Sequence, residues 1–419
     1  MLDLCRVDEF LAFAPYDPDY LETPYPVLKR LRVERPVFYD EQWRLTFFTR
    51  HTDIKAILKN RNQFGRDFRH RIPIEEVDAD LVGRLYPTDA PFWVKYVREA
   101  FMDQEPPVHT RLRGLVSKAF TRQESVSWYP KLELLASNLL QDHLDGEVFD
   151  AIQAYASPIP VSLIAELMGI PGQDHERLIA WSARIVVPYD LHCSAEERAL
   201  AEQATREFVA YLKTRIEERR RSPGTDLISS MLQVEENGDT LTEDEIIATA
   251  ILTLNAGHEA TVQALGNALL ALANNPEQYG RLVDNPALVP NAVEELLRFD
   301  TPLQMFDRWV LEDCEVGGHA LKRGQKVGVL LGSANHDEAI FAGDPEALDV
   351  SRDCREHLAF GAGLHHCVGS HLARIELQAA LGVLVSKSKS LEVAGPLPPR
   401  KPSLVFRGLS GLPLRLTPK

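Results

Sequence analysis

Cysteine is scarce in this sequence, and none is closely paired. Cys5, Cys193, Cys314, Cys354 and Cys367 are five in number, widely scattered and without a CxxC pair, so neither a disulfide framework nor a zinc ribbon is indicated. Positive charge is also in short supply. The 46 Lys and Arg against 61 Asp and Glu leave a formal net charge of -15, which disfavours nucleic acid and anionic membrane as partners of the surface as a whole. Long apolar runs are missing at the N-terminus, where Asp3, Asp8 and Glu9 interrupt the apolar residues, so neither a signal peptide nor a membrane anchor is expected. The expected address is cytoplasmic. No fixed-period repeat, charge block or Ser/Gly-rich linker divides the chain, and residues 1–419 are expected to form one large domain.

What is present is helical periodicity. Apolar positions recur at helical spacing in 131–144, 151–168, 196–221, 242–273, 287–299 and 368–385. Strand-like runs are short: 36–39, 44–49, 326–331 and 404–416. The expected fold is mainly α, a large helical domain with a long central helix and a small β-rich region. That central helix opens on a capping box, Thr242-Glu243-Asp244-Glu245, and stops at Asn274-Asn275-Pro276. At about 1.5 Å per residue it would be roughly 45–50 Å long, enough to cross the molecule. Within it, Ala256-Gly257-His258-Glu259-Ala260-Thr261 puts Gly, His and Glu where the pattern predicts burial. Such local costs in propensity and desolvation mark candidate sites.

The most informative segment is Phe360-Gly361-Ala362-Gly363-Leu364-His365-His366-Cys367-Val368-Gly369, which leads into a helical run. Its glycines permit a tight loop whose amides can face one sulfur. A cysteine ahead of a helix N-terminus is favoured as thiolate, the form that ligates metal. An isolated cysteine is more often a small buried hydrophobe, but its glycine and phenylalanine neighbours favour the ligand reading. A dinucleotide loop is excluded because no third glycine follows Gly361-x-Gly363 at the right spacing. A zinc-protease reading of His258-Glu259 fails because Val262 stands where the second histidine belongs.

The loop resembles that of the cytochrome P-450 family, FGxGxHxCxG, matched from Phe360 through Gly369. Glu295-Leu296-Leu297-Arg298 fits the family's ExxR motif, and Arg352 fits the arginine that completes its buried network. The resemblance implies haem b, with Cys367 as the axial iron ligand and Phe360, Gly361 and Gly369 shaping its loop. It further implies that His109, Arg113, Arg308 and His365 hold the haem propionates, which need cationic or hydrogen-bonding partners if buried. The implied activity is monooxygenation, the insertion of one atom of O2 into an organic substrate, with Glu259 as candidate proton-relay acid. A structural ion-pair role for Glu259 stays open beside that one. The family usually follows this acid with a threonine, and here Ala260 stands there; Thr261, about 100° further round the helix, is not expected to replace the hydroxyl in place.

Family positions facing the substrate map onto Phe92, Trp93, Val97, Phe101, Met102, Leu252, Asn255, Ala256, Leu303, Gln304 and Phe306. They suggest a small lipophilic or aromatic substrate with one polar group near Asn255, and core packing explains many of them equally well. Hydroxylation, epoxidation and O-dealkylation share one oxidant and are not separable here. The resemblance fills the chain and leaves no room for a fused reductase or ferredoxin module, so a separate ferredoxin with an NAD(P)H-dependent reductase is implied. Arg111, Lys118 and Arg122 on the helix expected over 109–122 form either a solvated face or a docking face for such an acidic partner. A haem-thiolate binding or sensor protein without turnover is the competing function, and Ala260 is the residue that favours it.

Overall fold

The computed structural model describes residues 13–233, 235–236 and 239–419. The N-terminal stretch read above for a leader or anchor, with Cys5, lies outside the described residues. The chain folds into a large helical body flanked by small sheets, and the five-stranded sheet lies beside the N-terminal helices. No helix among the described residues is long and apolar enough to cross a membrane.

The central helix, Glu243–Asn274, is 32 residues long. Its capping box forms as the sequence predicts: Glu245 N donates to Thr242 Oγ1 at 3.3 Å and Thr242 N to Glu245 Oε2 at 2.8 Å. Nearly every side chain from Ile246 to Leu272 is buried, because the helices Pro158–Met168, His175–Ile185, Val289–Phe299 and Ser370–Lys387 pack around it. A helix buried on all sides has no polar face to spare, so each polar residue inside it needs a specific partner.

The larger sheet runs in the order Val37–Asp40, Leu45–Phe48, Lys326–Leu330, Met305–Val310 and Phe64–Gly65. Three of the expected runs are found within a residue or so. The strand Met305–Val310 was not expected, since Asp307 and Arg308 break its apolar pattern. Both are satisfied inside: Asp307 accepts from Lys326 Nζ at 2.7 Å and from Arg66 Nη1 at 2.6 Å. The run 404–416 is corrected. Only Pro413–Pro418 is a strand, while 394–412 is irregular chain that runs along the central helix. The helix expected over 109–122 is also corrected. It ends at Ser117, turns through Lys118–Phe120, and Thr121 caps a new helix, Arg122–Ser127, by accepting from Glu124 N at 3.3 Å. Arg111 and Arg122 therefore do not share a helix face.

The ExxR pair is fully enclosed, with Glu295 and Arg298 both 0% exposed. Arg298 donates to Glu295 at 2.6 and 2.8 Å and to the carbonyls of Asn335 and Pro345 at 2.8 and 2.9 Å. Arg352 joins Glu295 at 3.1 Å and donates to the carbonyls of Ala342, Asp344 and Ala347. Two arginines on one carboxylate thus pin the irregular stretch that leads to the cysteine loop.

Candidate functional site

The cysteine loop is shaped by backbone conformations that favour glycine. Gly361 and Gly363 have φ of +68° and +72°, and a Cβ on Gly363 would lie 2.2 Å from Leu58 O. This tight passage turns Cys367 so that its N–H donates to Phe360 O at 2.9 Å and its sulfur receives the Gly369 N–H. Burial pushes the thiol up from its ordinary pKa, while that amide, Arg113 and Arg374 act in the opposite direction. Cys367 has protein packed around it yet an open surface, because it faces an internal cavity.

One wall of that cavity is the central helix. Leu252, Ala256, Ala260 and Ala264 form one ridge at i, i+4 spacing, and Thr253, Gly257 and Thr261 form the next. The cavity therefore spans two ridges, and Thr261 lies on the wall as well, on the ridge beside that of Ala260. The opposite wall carries Phe360, Cys367, Leu372, Ala373 and Glu376. Small and apolar residues on both sides leave a slot suited to a flat apolar group.

At one edge of the slot, buried donors outnumber the one carboxylate beside them, Glu105. His109 and His365 face each other with ring centroids 4.5 Å apart, and no ring nitrogen of either makes a hydrogen bond. His365 Nε2 is 3.4 Å from Glu105 Oε1, within ion-pair distance but poorly aligned. Burial, then His365 and Arg113, pulls His109 down to about 4. Arg308 is buried and donates only to a backbone carbonyl, Asp307 O at 2.7 Å; burial, then Arg66, pulls it down to about 9. Arg113 donates to His366 O at 2.6 Å. Buried donors left unpaired cost about 1–3 kcal/mol each. The deficit is one of negative charge, and the two carboxylates of haem match it. Cys367, the apolar slot and this donor cluster fit haem b: Cys367 is the residue that would ligate its iron, and the cluster is the set that would receive its two carboxylates.

A family model described as cytochrome P-450 matches residues 181–394. The polyketide-biosynthesis cytochrome P-450 PksS of Bacillus subtilis is 34% identical over 98% of this chain and 100% of its own length. The chain belongs to the cytochrome P-450 family. The vitamin D(3) 25-hydroxylase of Pseudonocardia autotrophica, 35% identical over 96% of this chain and 95% of its own, is a further relative. Among solved structures, P450BioI in complex with an acyl carrier protein ligated to hexadec-9Z-enoic acid superposes with a TM-score of 0.85 at 33% identity, covering 95% of this chain and 100% of that one. This P-450 is a haem b monooxygenase with the P-450 fold.

Of the expected substrate contacts, Phe101, Met102, Leu252, Asn255, Ala256, Leu303 and Phe306 line the cavity. Phe92, Trp93, Val97 and Gln304 do not. The chain makes a wide turn over Val94–Arg98, and Trp93 faces the helices instead, its N and Nε1 donating to Glu202 Oε2 and Ile185 O, both at 2.9 Å. Phe92 stacks under Arg206, and Val97 is core. Gln304 donates to Thr301 O at 2.8 Å and Tyr25 Oη at 3.3 Å. Asn255 stands apart: it is buried on the cavity wall with both amide atoms unpartnered.

Glu259 is placed away from the cavity. Its Oε1 accepts from Lys401 Nζ at 2.7 Å and from Gln263 Nε2 at 2.9 Å. The ion-pair role that the sequence left open is the one seen in this conformation. Burial opposes its ionisation, but Lys401, and less so His258, more than offset that and hold the carboxyl below its ordinary range. Glu376 was not singled out from the sequence. It is a buried carboxyl on the thiolate helix with Oε1 unpartnered, raised well above the ordinary range by burial alone, and it lies on the cavity wall. A lone acid in the apolar run 372–385 was its only signal.

Proposed function

We propose that this P-450 hydroxylates, or oxidatively O-dealkylates, a mainly apolar substrate whose one hydrogen-bonding group is held by Asn255. The observation that carries the reading is the unpaired amide of Asn255 on an otherwise apolar wall of Phe101, Met102, Leu252, Leu303 and Phe306. A primary amide has donor and acceptor sides, so a substrate hydroxyl or carbonyl can satisfy it, and a fully apolar ligand leaves it unpaired. Relatives named for polyketide biosynthesis and vitamin D(3), and a neighbour holding a fatty acyl chain, support an apolar substrate. Haem b bound at Cys367 supplies dioxygen activation; the chain's residues supply the rest.

His109, Arg113, Arg308 and His365 orient the cofactor, and Phe360, Gly361 and Gly369 set the position of the thiolate. Glu259 is the relay acid. Ala260 leaves space on the wall where the family carries a hydroxyl, and a substrate hydroxyl or an ordered water occupies it; Thr261 offers a second hydroxyl nearby. Residues 1–419 act as one cytoplasmic domain, and a separate ferredoxin with an NAD(P)H-dependent reductase provides electrons. Of the expected docking cations, Arg111 is paired with Glu245, so docking on this side rests on a patch rather than one helix face.

The test is a ligand screen by spin-state shift of the ferric protein, followed by turnover with a surrogate ferredoxin system. Ligands with a single hydroxyl or carbonyl are expected to shift the spectrum at lower concentration than their deoxy analogues, and Asn255→Leu is expected to erase that preference. Equal affinity for the two series in the native protein overturns the reading. The competing sensor reading, favoured by Ala260, requires that no ligand support NADH consumption with oxygenated product in the surrogate ferredoxin system.

A further inference from the structure

Arg84 lines the same cavity as Cys367 and is itself exposed, so the cavity opens to solvent beside it. It sits in the last turn of a short helix, Ala79–Leu85. A cation there is favoured by the helix dipole, which accounts for the charge but not for its place on the cavity rim. Around it the lining is apolar: Leu81 and Leu85 come from the same helix, Leu45 from the strand Leu45–Phe48, and Leu191 from the turn after Val187–Tyr189.

The guanidinium is held but not neutralised. Its Nη2 donates to Trp43 O at 2.9 Å, and among the described residues no carboxylate stands within ion-pair distance of it. The acids of the rim are engaged elsewhere. Asp78 caps the helix by accepting from Asp80 N at 2.9 Å and Leu81 N at 3.1 Å and pairs with Arg44, which also holds Asp80 at 2.9 Å. Asp190, a further carboxylate on the lining, accepts from Tyr16, from Ser403 and from the amides of His192 and Val405. The cations deeper in the cavity have their own partners: Arg66 and Arg98 lie on Asp103, and Lys326 on Asp307. Arg84 is left as a fixed positive charge on an apolar rim, with donors to spare.

We propose that Arg84 is a specificity-determining residue: it receives the carboxylate of an amphiphilic substrate whose apolar body runs from the rim into the cavity toward Cys367. The guanidinium fork matches a carboxylate in shape and balances its single charge. A phosphate monoester carries close to two charges and needs a second cation, and the neighbouring Arg44 is already engaged by Asp78 and Asp80. The leucines around Arg84 suit an aliphatic body and leave a polar one without partners. This anion site is separate from Asn255, which holds a neutral polar group inside the cavity, whereas the carboxylate stays at the solvent edge. No bond is made or broken at Arg84. Its effect is on orientation, since a carboxylate anchored at the rim leaves the methyl end of the substrate toward Cys367.

The test titrates the ferric haem-loaded protein with octanoate, dodecanoate and hexadecanoate, with their methyl esters and with dodecyl phosphate, reading affinity from the spin-state shift. At low salt the acids are expected to bind about 5-fold or more tighter than their esters, and added salt to weaken the acids alone. Arg84→Gln is expected to erase both the preference and the salt effect, and Arg84→Lys to keep the salt effect. Equal binding of acid and ester by the native protein, a shift with none of the acids, or a preference that survives Arg84→Gln overturns the proposal. Tighter binding of dodecyl phosphate than of dodecanoate overturns the choice of a carboxylate. In turnover with a surrogate ferredoxin system, oxygen is expected on carbons toward the methyl end, and oxygenation beside the carboxylate overturns the orientation. Should Arg84→Gln fail to retain haem, the salt dependence of the native protein and of Arg84→Lys decides. Asn255→Leu is expected to leave the preference for acid over ester intact, so the two sites fail separately; a preference lost there and kept in Arg84→Gln would put the anion at the inner amide instead.

Discussion

His109 and His365 lie with ring centroids 4.5 Å apart, 256 residues apart in sequence, and between them leave four ring nitrogens without a hydrogen bond. Two imidazoles in contact gain little from each other, and burial disfavours charge on either. Their arrangement is explained by an anion that both can approach, and Arg308 completes the set with a guanidinium whose one hydrogen bond goes to Asp307 O.

The first prediction concerns haem retention. Each lost charge-assisted hydrogen bond costs about 1.5–3 kcal/mol, so Arg308→Ala should release haem on the order of 10- to 100-fold faster. His109→Phe keeps the ring packing and should act in the same direction by a smaller factor. Transfer of haem to an excess of apomyoglobin measures both rates. Native release rates in the two variants would remove the cluster from the propionate site.

A second prediction follows from the ExxR core. Glu295 is enclosed between Arg298 and Arg352, so removing Arg298 leaves a fully buried carboxylate with Arg352 as its one remaining cation, at a cost of up to about 3–5 kcal/mol. Arg298→Leu should lower the denaturant midpoint accordingly and reduce the fraction of chain recovered with haem, because the carbonyls of Asn335 and Pro345 lose their donor as well. A loss below about 1 kcal/mol would put the pair in the class of surface bridges.

The features legible in the sequence were those enforced locally. The capping box at Thr242, the apolar length of the central helix and the glycines of the cysteine loop each act within a few residues, and each is found where the pattern puts it. The break before Arg122 was legible too, since Thr121-Arg122-Gln123-Glu124 is a helix-start signal that helical periodicity masks. What escaped was set by distant partners. Asp307 and Arg308 obscured a central strand because the charges that satisfy Asp307, Arg66 and Lys326, lie elsewhere in the chain. Lys401 is 142 residues from Glu259, and nothing near either residue announces the other. Trp93 was expected at the cavity by position, but the wide turn over Val94–Arg98 follows it and its ring meets Ile185 instead.

The third prediction concerns the missing alcohol. Ala260 lies on the cavity wall, so a threonine there adds a methyl and a hydroxyl to open space rather than to packed core. If a substrate hydroxyl or ordered water fills this space in the native protein, Ala260→Thr competes with it. The ratio of product formed to NADH consumed should change with the native substrate, and the ligand's spin-state titration should shift to higher concentration. An unchanged ratio and titration would mean that the space beside Ala260 is not part of the relay.

The fourth prediction uses Glu376, whose carboxyl is kept protonated by burial well above the ordinary range, with no charged partner to offset the effect. In the unfolded chain a glutamate titrates near pH about 4.3. Between that value and its raised folded value the native state binds more protons than the unfolded state, so this group makes the native protein less stable as pH rises through the interval. Below about pH 4 the group is protonated in both states and the effect disappears. Glu376→Gln keeps the shape and removes the ionisation, so its unfolding midpoint relative to the native chain should be least favourable near pH about 4 and should improve as pH rises above it. Paired thermal unfolding curves across that range measure the difference directly. A gap that stays constant with pH would show that Glu376 titrates normally in the folded protein, which would require a partner or water for its Oε1.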